Sequence, residues 1–129
     1  MYFMDDSNSS SLILLTYKGK VLLMHKQKNV LDEEKHPWCF IGGEKTDKES
    51  FEEALSRTVE EEAGIRIENV QYVSEFCYHA KLTDDNVNNI QRGENQLLDF
   101  FTPREVAKLF LADSTQEFIS KHGNLISVL

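Results

Sequence analysis

The sequence predicts an α/β fold in which helices cover a mixed β-sheet. Apolar strand-like runs mix with amphipathic helical patterns along the chain, and the two do not alternate strictly. A length of 129 residues suits one domain, and 40% hydrophobic with 28% charged residues are typical of a chain that buries a core. We therefore expect a flexible segment at residues 1–11 and a single domain at residues 12–129.

The first strands of the predicted sheet form a hairpin. Leu12 to Tyr17 and Val21 to His25 are apolar runs joined by Lys18-Gly19-Lys20, a sequence typical of a turn. A polar loop follows, and Pro37 to Ile41 is a further short strand candidate that runs into Gly42-Gly43. We interpret the paired glycines as a backbone turn that is closed to other residues.

An amphipathic helix is predicted next. Its apolar residues recur every four positions, at Phe51, Leu55, Val59 and Ala63. Ser50 and Glu53 form a capping box, and Gly64 ends the helix. Thr46 and Glu49 form a competing box, which leaves the start open by about one turn.

The second half of the chain predicts further strands and two helices. Residues 65–82 are rich in Val, Tyr and Phe and predict one or two strands, residues 83–95 a polar loop, and residues 96–101 another strand. The capping sequence at residues 102–105 predicts a helix to about Phe110, and a similar signal at residues 114–117 predicts a last helix that Gly123 ends.

Charge and cysteine content exclude several classes of function. The net charge is −8 and the pI is near 4.9, which disfavours direct binding to a nucleic acid polymer or an anionic membrane. Cys39 and Cys77 are far apart and form no C-x-x-C pair, so neither a disulfide framework nor a thiolate zinc site is indicated. Without a signal-peptide pattern or a long apolar run, the expected location is the cytoplasm.

Acidic residues are concentrated between Glu44 and Glu62, a stretch that contains eight acidic and three basic residues. A solvated helix face would explain an ordinary charge run. Here, however, Glu60, Glu61 and Glu62 occupy the last helical turn, where the helix dipole disfavours negative charge. At about 100° per residue, Glu62 also falls on the apolar side of the helix, with Glu61 beside it. Adjacent carboxylates suit a hard cation such as Mg²⁺ or Mn²⁺.

The same stretch resembles the Nudix box. In the Nudix hydrolases this motif is G, five residues, E, seven residues, then R-E-U-x-E-E-x-G-U, where U is a bulky aliphatic residue. Eight of the nine specified positions agree: Gly43, Glu49, Arg57, Val59, Glu61, Glu62, Gly64 and Ile65. The departure is Thr58, which stands where the family has the first glutamate of its R-E pair. The resemblance implies a Nudix-type α/β/α sandwich over residues 12–129.

The resemblance also implies a metal site. Glu61, Glu62 and the backbone carbonyl of Gly42 would hold Mg²⁺ or Mn²⁺, and Glu61 would take part in catalysis. Glu49 and Arg57 would form an ion pair that shapes the loop before the helix. Family members often take a general base from a loop near the last strand, and Glu94 is the candidate, although a solvated loop acid would explain it equally well.

The function implied by the resemblance is hydrolysis of a nucleoside diphosphate linked to another moiety, for example a nucleoside triphosphate cut to monophosphate and pyrophosphate. The expected partner is thus a nucleotide or a nucleoside-diphosphate derivative, with no nucleic acid polymer and no membrane. Both a monomer and a homodimer stay open. Because Thr58 leaves one corner of the acidic triangle neutral, the alternative is a Nudix-fold binding or regulatory module with weakened catalysis.

Overall fold

The computed structural model describes residues 9–26, 37–91 and 96–127 of the chain. Its strands are β1 (Ser10–Tyr17), β2 (Lys20–Lys26), β3 (Trp38–Cys39), β4 (Ile41–Glu44), β5 (Gln71–Ser74), β6 (Cys77–Lys81) and β7 (Gln96–Phe101). Its helices are α1 (Phe51–Ala63), α2 (Asp84–Asn88), α3 (Pro103–Val106), α4 (Asp113–His122) and α5 (Asn124–Ser127). None of these helices has the length and apolar character needed to cross a membrane.

The seven strands form one mixed sheet. The main path runs β3-β2-β1-β6-β5, with β4 paired to β1 and β7 paired to β2. Strands β1 and β6 are parallel, and the other pairs are antiparallel. At the hairpin, Lys18 and Gly19 have φ values of 47° and 80°, so the predicted turn places both central residues in the left-handed region. The hairpin and the mixed sheet are confirmed.

Strand β1 begins earlier than the sequence predicts. Ser10 and Ser11 pair with Glu44 and Gly43 of β4, so these two residues lie in the sheet rather than in a flexible segment. Their polar side chains did not predict a strand, because main-chain pairing with β4 stabilises it there. Residues 1–8, which make up the rest of the expected segment, lie outside the described residues.

The paired glycines lie within strand β4 and not in a turn, which corrects the interpretation from the sequence. A Cβ atom on Gly42 would lie 2.7 Å from Cδ2 of Leu12 and 2.8 Å from the carbonyl oxygen of Ser11. A Cβ atom on Gly43 would overlap Oγ1 of Thr58, on helix α1. Close approach of neighbouring chain segments, and not an unusual backbone conformation, therefore requires these glycines.

Two hydrophobic cores lie on the two faces of the sheet and define three layers. The core against α1 includes Ile13, Leu15, Leu22, Ile41, Leu55, Val59, Ala63, Ile65 and Tyr78. The core against α3 and α4 includes Leu14, Val21, Leu23, Phe40, Val106 and Phe118. Alternate residues of β1 and β2 supply opposite cores, as the two-residue period of a strand requires. The expected α/β/α sandwich is confirmed.

Helix α1 forms as predicted, with Ser50 as its N-cap and Glu53 completing the capping box. Gly64 follows in the left-handed conformation, with φ of 72°, and its N–H donates to the carbonyl oxygen of Glu60 at 2.9 Å. The competing box at Thr46 and Glu49 makes only the contact from the Thr46 N–H to the Glu49 carboxylate, at 3.1 Å, and the helix begins after Ser50.

The other helices differ from the predictions. The loop predicted at residues 83–95 contains α2, whose N-cap Thr83 accepts a hydrogen bond from the N–H of Asn86. Helix α3 ends at Val106, short of the predicted Phe110. Helix α4 begins at Asp113 without a side-chain cap, so the capping signal at residues 114–117 was wrong. Thr115 from that signal is instead buried and accepts a hydrogen bond from the N–H of Phe40 at 2.9 Å.

Candidate functional site

The last turn of α1 carries three glutamates and no basic residue. Glu62 is half-buried, whereas the side chain of Glu61 is 60% exposed. Glu60 is also exposed and lies on another side of the helix, where its Oε2 atom is 3.4 Å from Nε of Arg66. Glu61 and Glu62 therefore keep the two positions that helical geometry predicts for them, and Glu60 is separate from them.

Arg57 joins the loop before α1 to the helix. Its Nε and Nη2 atoms donate to the two carboxylate oxygens of Glu49 at 2.9 and 3.0 Å, a bidentate arrangement. Nη2 also donates, at 3.0 Å, to the carbonyl oxygen of Glu44, the last residue of β4. Nη1 lies 3.5 Å from Oε1 of Glu61. One guanidinium thus contacts the strand, the loop and the acidic turn.

The electrostatics of this network keep Glu49 ionised. The hydrogen bond from Arg57 lowers the pKa of Glu49 to about 2, helped by the backbone N–H of Thr46 at 3.1 Å. The same pairing raises the pKa of Arg57. Both groups are charged at neutral pH, so the loop is closed by an ion pair over the pH range in which a hydrolase would work.

Thr58 fills the corner where the box has its first glutamate. Its side chain is buried, with 9% of the residue exposed, and Oγ1 donates to the carbonyl oxygen of Ala54 at 2.9 Å. The same oxygen packs against Gly43 of β4. Thr58 is therefore a packing residue between α1 and β4, and the bond to Ala54 is the i−4 pattern common for threonine in helices.

The donor chemistry of the acidic turn fits a divalent cation. Glu61 and Glu62 supply carboxylate oxygens, and β4, which packs on α1, carries the carbonyl of Gly42. Within residues 9–26, 37–91 and 96–127, no group of three or more His, Cys, Asp and Glu side chains could hold a metal ion. Two carboxylates suit Mg²⁺, which usually keeps several waters and completes its coordination with substrate phosphates. Glu94 lies outside the described residues.

The end of α1 is held by residues that the sequence did not indicate. The N–H of Gln91 donates to the carbonyl oxygen of Ala63 at 2.8 Å. Nε2 of Gln96, the first residue of β7, donates to the carbonyl oxygen of Glu62 at 2.8 Å. Gln96 and Glu62 are 34 residues apart, and no local pattern connects two such positions.

Two histidines on strands, His25 and His79, are buried and contact neighbouring strands. Oγ1 of Thr16 and Nε2 of His79 are 2.8 Å apart, and burial lowers the pKa of His79, which favours the neutral imidazole. The ring of His25 packs against Trp38 with centroids 5.0 Å apart. Both histidines thus contribute to packing between strands.

Comparison with known proteins identifies the family of this chain. The family model of the NUDIX domain matches residues 7–123. A mutT/nudix family protein from Listeria innocua has 18% identity and a TM-score of 0.69, with 92% of this chain and 93% of that one covered. The NUDIX domain of Shewanella oneidensis NrtR, complexed with ADP ribose, has 15% identity and a TM-score of 0.70, with 91% and 86% covered.

A third neighbour, the ORF135 protein of E. coli, has 21% identity and a TM-score of 0.57, with 86% of this chain and 89% of that one covered. At these identities the structural neighbours show the fold. No curated protein gives a significant match. The family model covers most of the chain, and the box geometry and the three-layer fold agree with it, so the chain belongs to the Nudix hydrolase family.

Proposed function

We propose that this protein is a metal-dependent pyrophosphohydrolase that cleaves a nucleoside diphosphate linked to another moiety, including nucleoside triphosphates cut to monophosphate and pyrophosphate. Hydrolysis of acid anhydrides is the general chemistry of the family. The observation that carries the proposal is the Arg57 network, which fixes the loop at Glu49 and reaches Glu61 in the acidic turn.

The proposal gives roles to the charged residues of the box and to Gly42. Glu61, Glu62 and the carbonyl of Gly42 would hold Mg²⁺ or Mn²⁺. A bound ion of this kind neutralises phosphate charge and lowers the pKa of an attacking water. Glu49 and Arg57 keep the loop in place, and Glu61 takes part in catalysis.

Two glycines and one further acid complete the assignment. Gly43 allows α1 to approach β4, and Gly64 ends the helix directly after the acidic turn. Glu94 as the general base stays a prediction, because it lies outside the described residues.

The substrate class follows from charge and chemistry. A protein with a net charge of −8 needs a cation between its own carboxylates and the phosphates of a substrate. ADP ribose, the ligand of the Shewanella neighbour, is itself a nucleoside diphosphate linked to a sugar and therefore belongs among the candidates. We propose a nucleotide or nucleoside-diphosphate derivative as partner, with a cytoplasmic location and with monomer and homodimer both open.

The test is product release from a panel of nucleotides. Nucleoside triphosphates, ADP ribose and dinucleoside polyphosphates are incubated with the protein and Mg²⁺ or Mn²⁺, and pyrophosphate, phosphate and monophosphate are measured. We expect turnover of at least one member, abolished by a chelator and by Glu62→Gln. No turnover of any member at micromolar enzyme would contradict the proposed function.

A second candidate function is a nucleotide-binding module without turnover. The observation that favours it is the position of Thr58, whose buried hydroxyl is bonded to Ala54 and leaves the third acidic corner neutral. Calorimetry separates the two candidates. Nucleotide binding that is the same with and without Mg²⁺, together with absent turnover, supports the module, whereas metal-dependent binding supports the hydrolase.

A further inference from the structure

Backbone carbonyls in the last turn of α1 accept hydrogen bonds from the helix cap and from two glutamines further along the chain. Three hydrogen bonds satisfy carbonyls of this turn: Gly64 to Glu60, Gln91 to Ala63, and the side chain of Gln96 to Glu62. The first is part of the helix cap, and the second comes from a main-chain N–H. The third alone, among these three, depends on the identity of a side chain.

We propose that Gln96 is a positioning residue that fixes the Glu61 and Glu62 pair for metal binding. This inference rests on the proposed function, since it concerns the same site. Nε2 of Gln96 reaches the carbonyl oxygen of Glu62 at 2.8 Å from a half-buried position. A neutral amide donor holds the backbone there without competing with the cation for the carboxylates.

The acidic turn needs such a restraint for two reasons. Three glutamates with no basic residue stand at the negative end of the helix dipole, an arrangement that promotes fraying. Neighbouring side chains on a helix also point about 100° apart, so Glu61 and Glu62 converge on one ion only over a narrow range of backbone positions. A loosened turn would therefore lose metal affinity before it lost the fold.

Gln96 is suited to this role because its backbone is paired in the sheet. It pairs with Lys26 at the start of the six-residue ladder between β7 and β2, which continues to Phe101 paired with Val21. The hydrogen bond thus ties the end of α1 to the first residue of strand β7, at the end of its ladder with β2. Supporting contacts of this kind commonly change metal affinity by ten- to a hundredfold when they are removed.

The test compares Gln96→Met with Gln116→Met, a control on the exposed surface of α4 on the other face of the sheet. Mn²⁺ binding is measured by electron paramagnetic resonance, and amide hydrogen exchange is measured in the metal-free protein. We expect Gln96→Met to weaken Mn²⁺ binding about tenfold and to speed exchange in the last turn of α1 but not in its first turn. The control should change neither.

The outcomes distinguish this inference from the proposed function. Equal Mn²⁺ affinity in Gln96→Met and the unmodified chain overturns the role of Gln96 while the metal site stands. If the unmodified chain does not bind Mn²⁺, the role of Gln96 and the proposed metal site are both overturned. In Gln96→Met, amide exchange could instead become faster by the same factor along the whole chain. That result would mean that Gln96 stabilises the fold in general, and it would overturn the positioning role.

Discussion

Thr58 and Gly43 lie against each other at one corner of the candidate site, and the side chain of Thr58 requires glycine at position 43. The hydroxyl group of Thr58 donates to the carbonyl oxygen of Ala54, and its oxygen occupies the space that a Cβ atom on Gly43 would need, so a larger residue at position 43 has no room. Where the Nudix box has an acid at the position of Thr58, this chain has a short side chain that is satisfied by its own helix. The corner is therefore filled by packing, and Glu61 and Glu62 are left as the acidic pair.

The contact between these two residues predicts an energetic coupling. Gly43→Ala should lower the free energy of unfolding by about 1–3 kcal/mol, because the added methyl group overlaps Oγ1 of Thr58. In a Thr58→Ala background the same change should cost less, by at least about 0.5 kcal/mol, since the overlapping oxygen is gone. Urea unfolding of the four chains measures both values.

Gly42 provides the matched control for this cycle. Its missing Cβ atom faces Leu12 and the Ser11 carbonyl, on β1, and not Thr58. Gly42→Ala should destabilise the protein by a similar amount in both backgrounds. If the coupling energy between Gly42 and Thr58 were as large as that between Gly43 and Thr58, the cycle would report a general loosening of the fold.

Restoring an acid at residue 58 should strengthen metal binding. An added carboxylate about 4 Å from a divalent cation is worth a few kcal/mol at the dielectric of a protein surface. The cost of burying the carboxylate offsets part of this gain, so we expect Thr58→Glu to raise Mn²⁺ affinity about tenfold, which is about 1.4 kcal/mol. The same change buries a charge beside Gly43, and metal-free Thr58→Glu should therefore unfold more easily. Calorimetric titration and thermal unfolding, with and without Mn²⁺, measure the two effects.

Thr58→Gln has the same shape without the charge and serves as the control. It should match Thr58→Glu in crowding and show no gain in metal affinity. Unchanged affinity in Thr58→Glu would mean that the missing acidic corner is not at residue 58.

The loop before α1 and the helix itself are joined by one ion pair. Glu49 has a pKa of about 2 in the folded protein, against an ordinary value of 4.5. An acid with a lowered folded pKa adds stability that is fully present above its unfolded pKa. That stability is lost as the pH falls from about 4.5 toward 2, because the unfolded chain takes up the proton first.

Glu49→Gln should therefore flatten the acid side of the stability profile. We expect the urea midpoint of the unmodified chain to fall more steeply between about pH 5 and pH 3 than that of Glu49→Gln. Asp47→Asn, an exposed change in the same loop, should keep the steeper profile. Parallel profiles for Glu49→Gln and the unmodified chain would contradict the role of the ion pair.

Strong local signals predicted whole helices and strands correctly. Helix α1 combines a capping box at Ser50, an apolar stripe and Gly64, and all three agree with the structure. Signals failed where tertiary contacts competed with them. Ser114 does not cap α4, since the chain is already helical from Asp113, and Thr115 turns inward to the N–H of Phe40.

The molecule as a whole shows which parts of the site a sequence can reveal. The acidic turn and the partners Glu49 and Arg57 lie within one helix and its loop, and motif spacing predicts them. The need for glycine at residue 43 and the anchor at Gln96 depend on contacts between distant segments, which spacing cannot show. The fold class could be predicted because the sequence shows clear strand patterns and clear helix patterns in a mixed order.

The distribution of charge over the whole molecule is consistent with the phosphate-bearing substrate that we propose. A net −5 of the chain's −8 lies between Glu44 and Glu62, at the loop and helix of the site. Arg57 neutralises part of it through Glu49. The acidic turn keeps its excess, which is unfavourable for the helix alone and favourable for a cation.

Mn²⁺ binding to Glu62→Gln and Glu60→Gln, measured by electron paramagnetic resonance, tests this account most directly. Both changes remove one negative charge from the same helical turn, but Glu60 points elsewhere and contacts Arg66. We predict that Glu62→Gln weakens binding at least about tenfold and that Glu60→Gln changes it by less than about twofold. Equal loss in the two variants, or no binding by the unmodified chain, would contradict a metal site at Glu61 and Glu62.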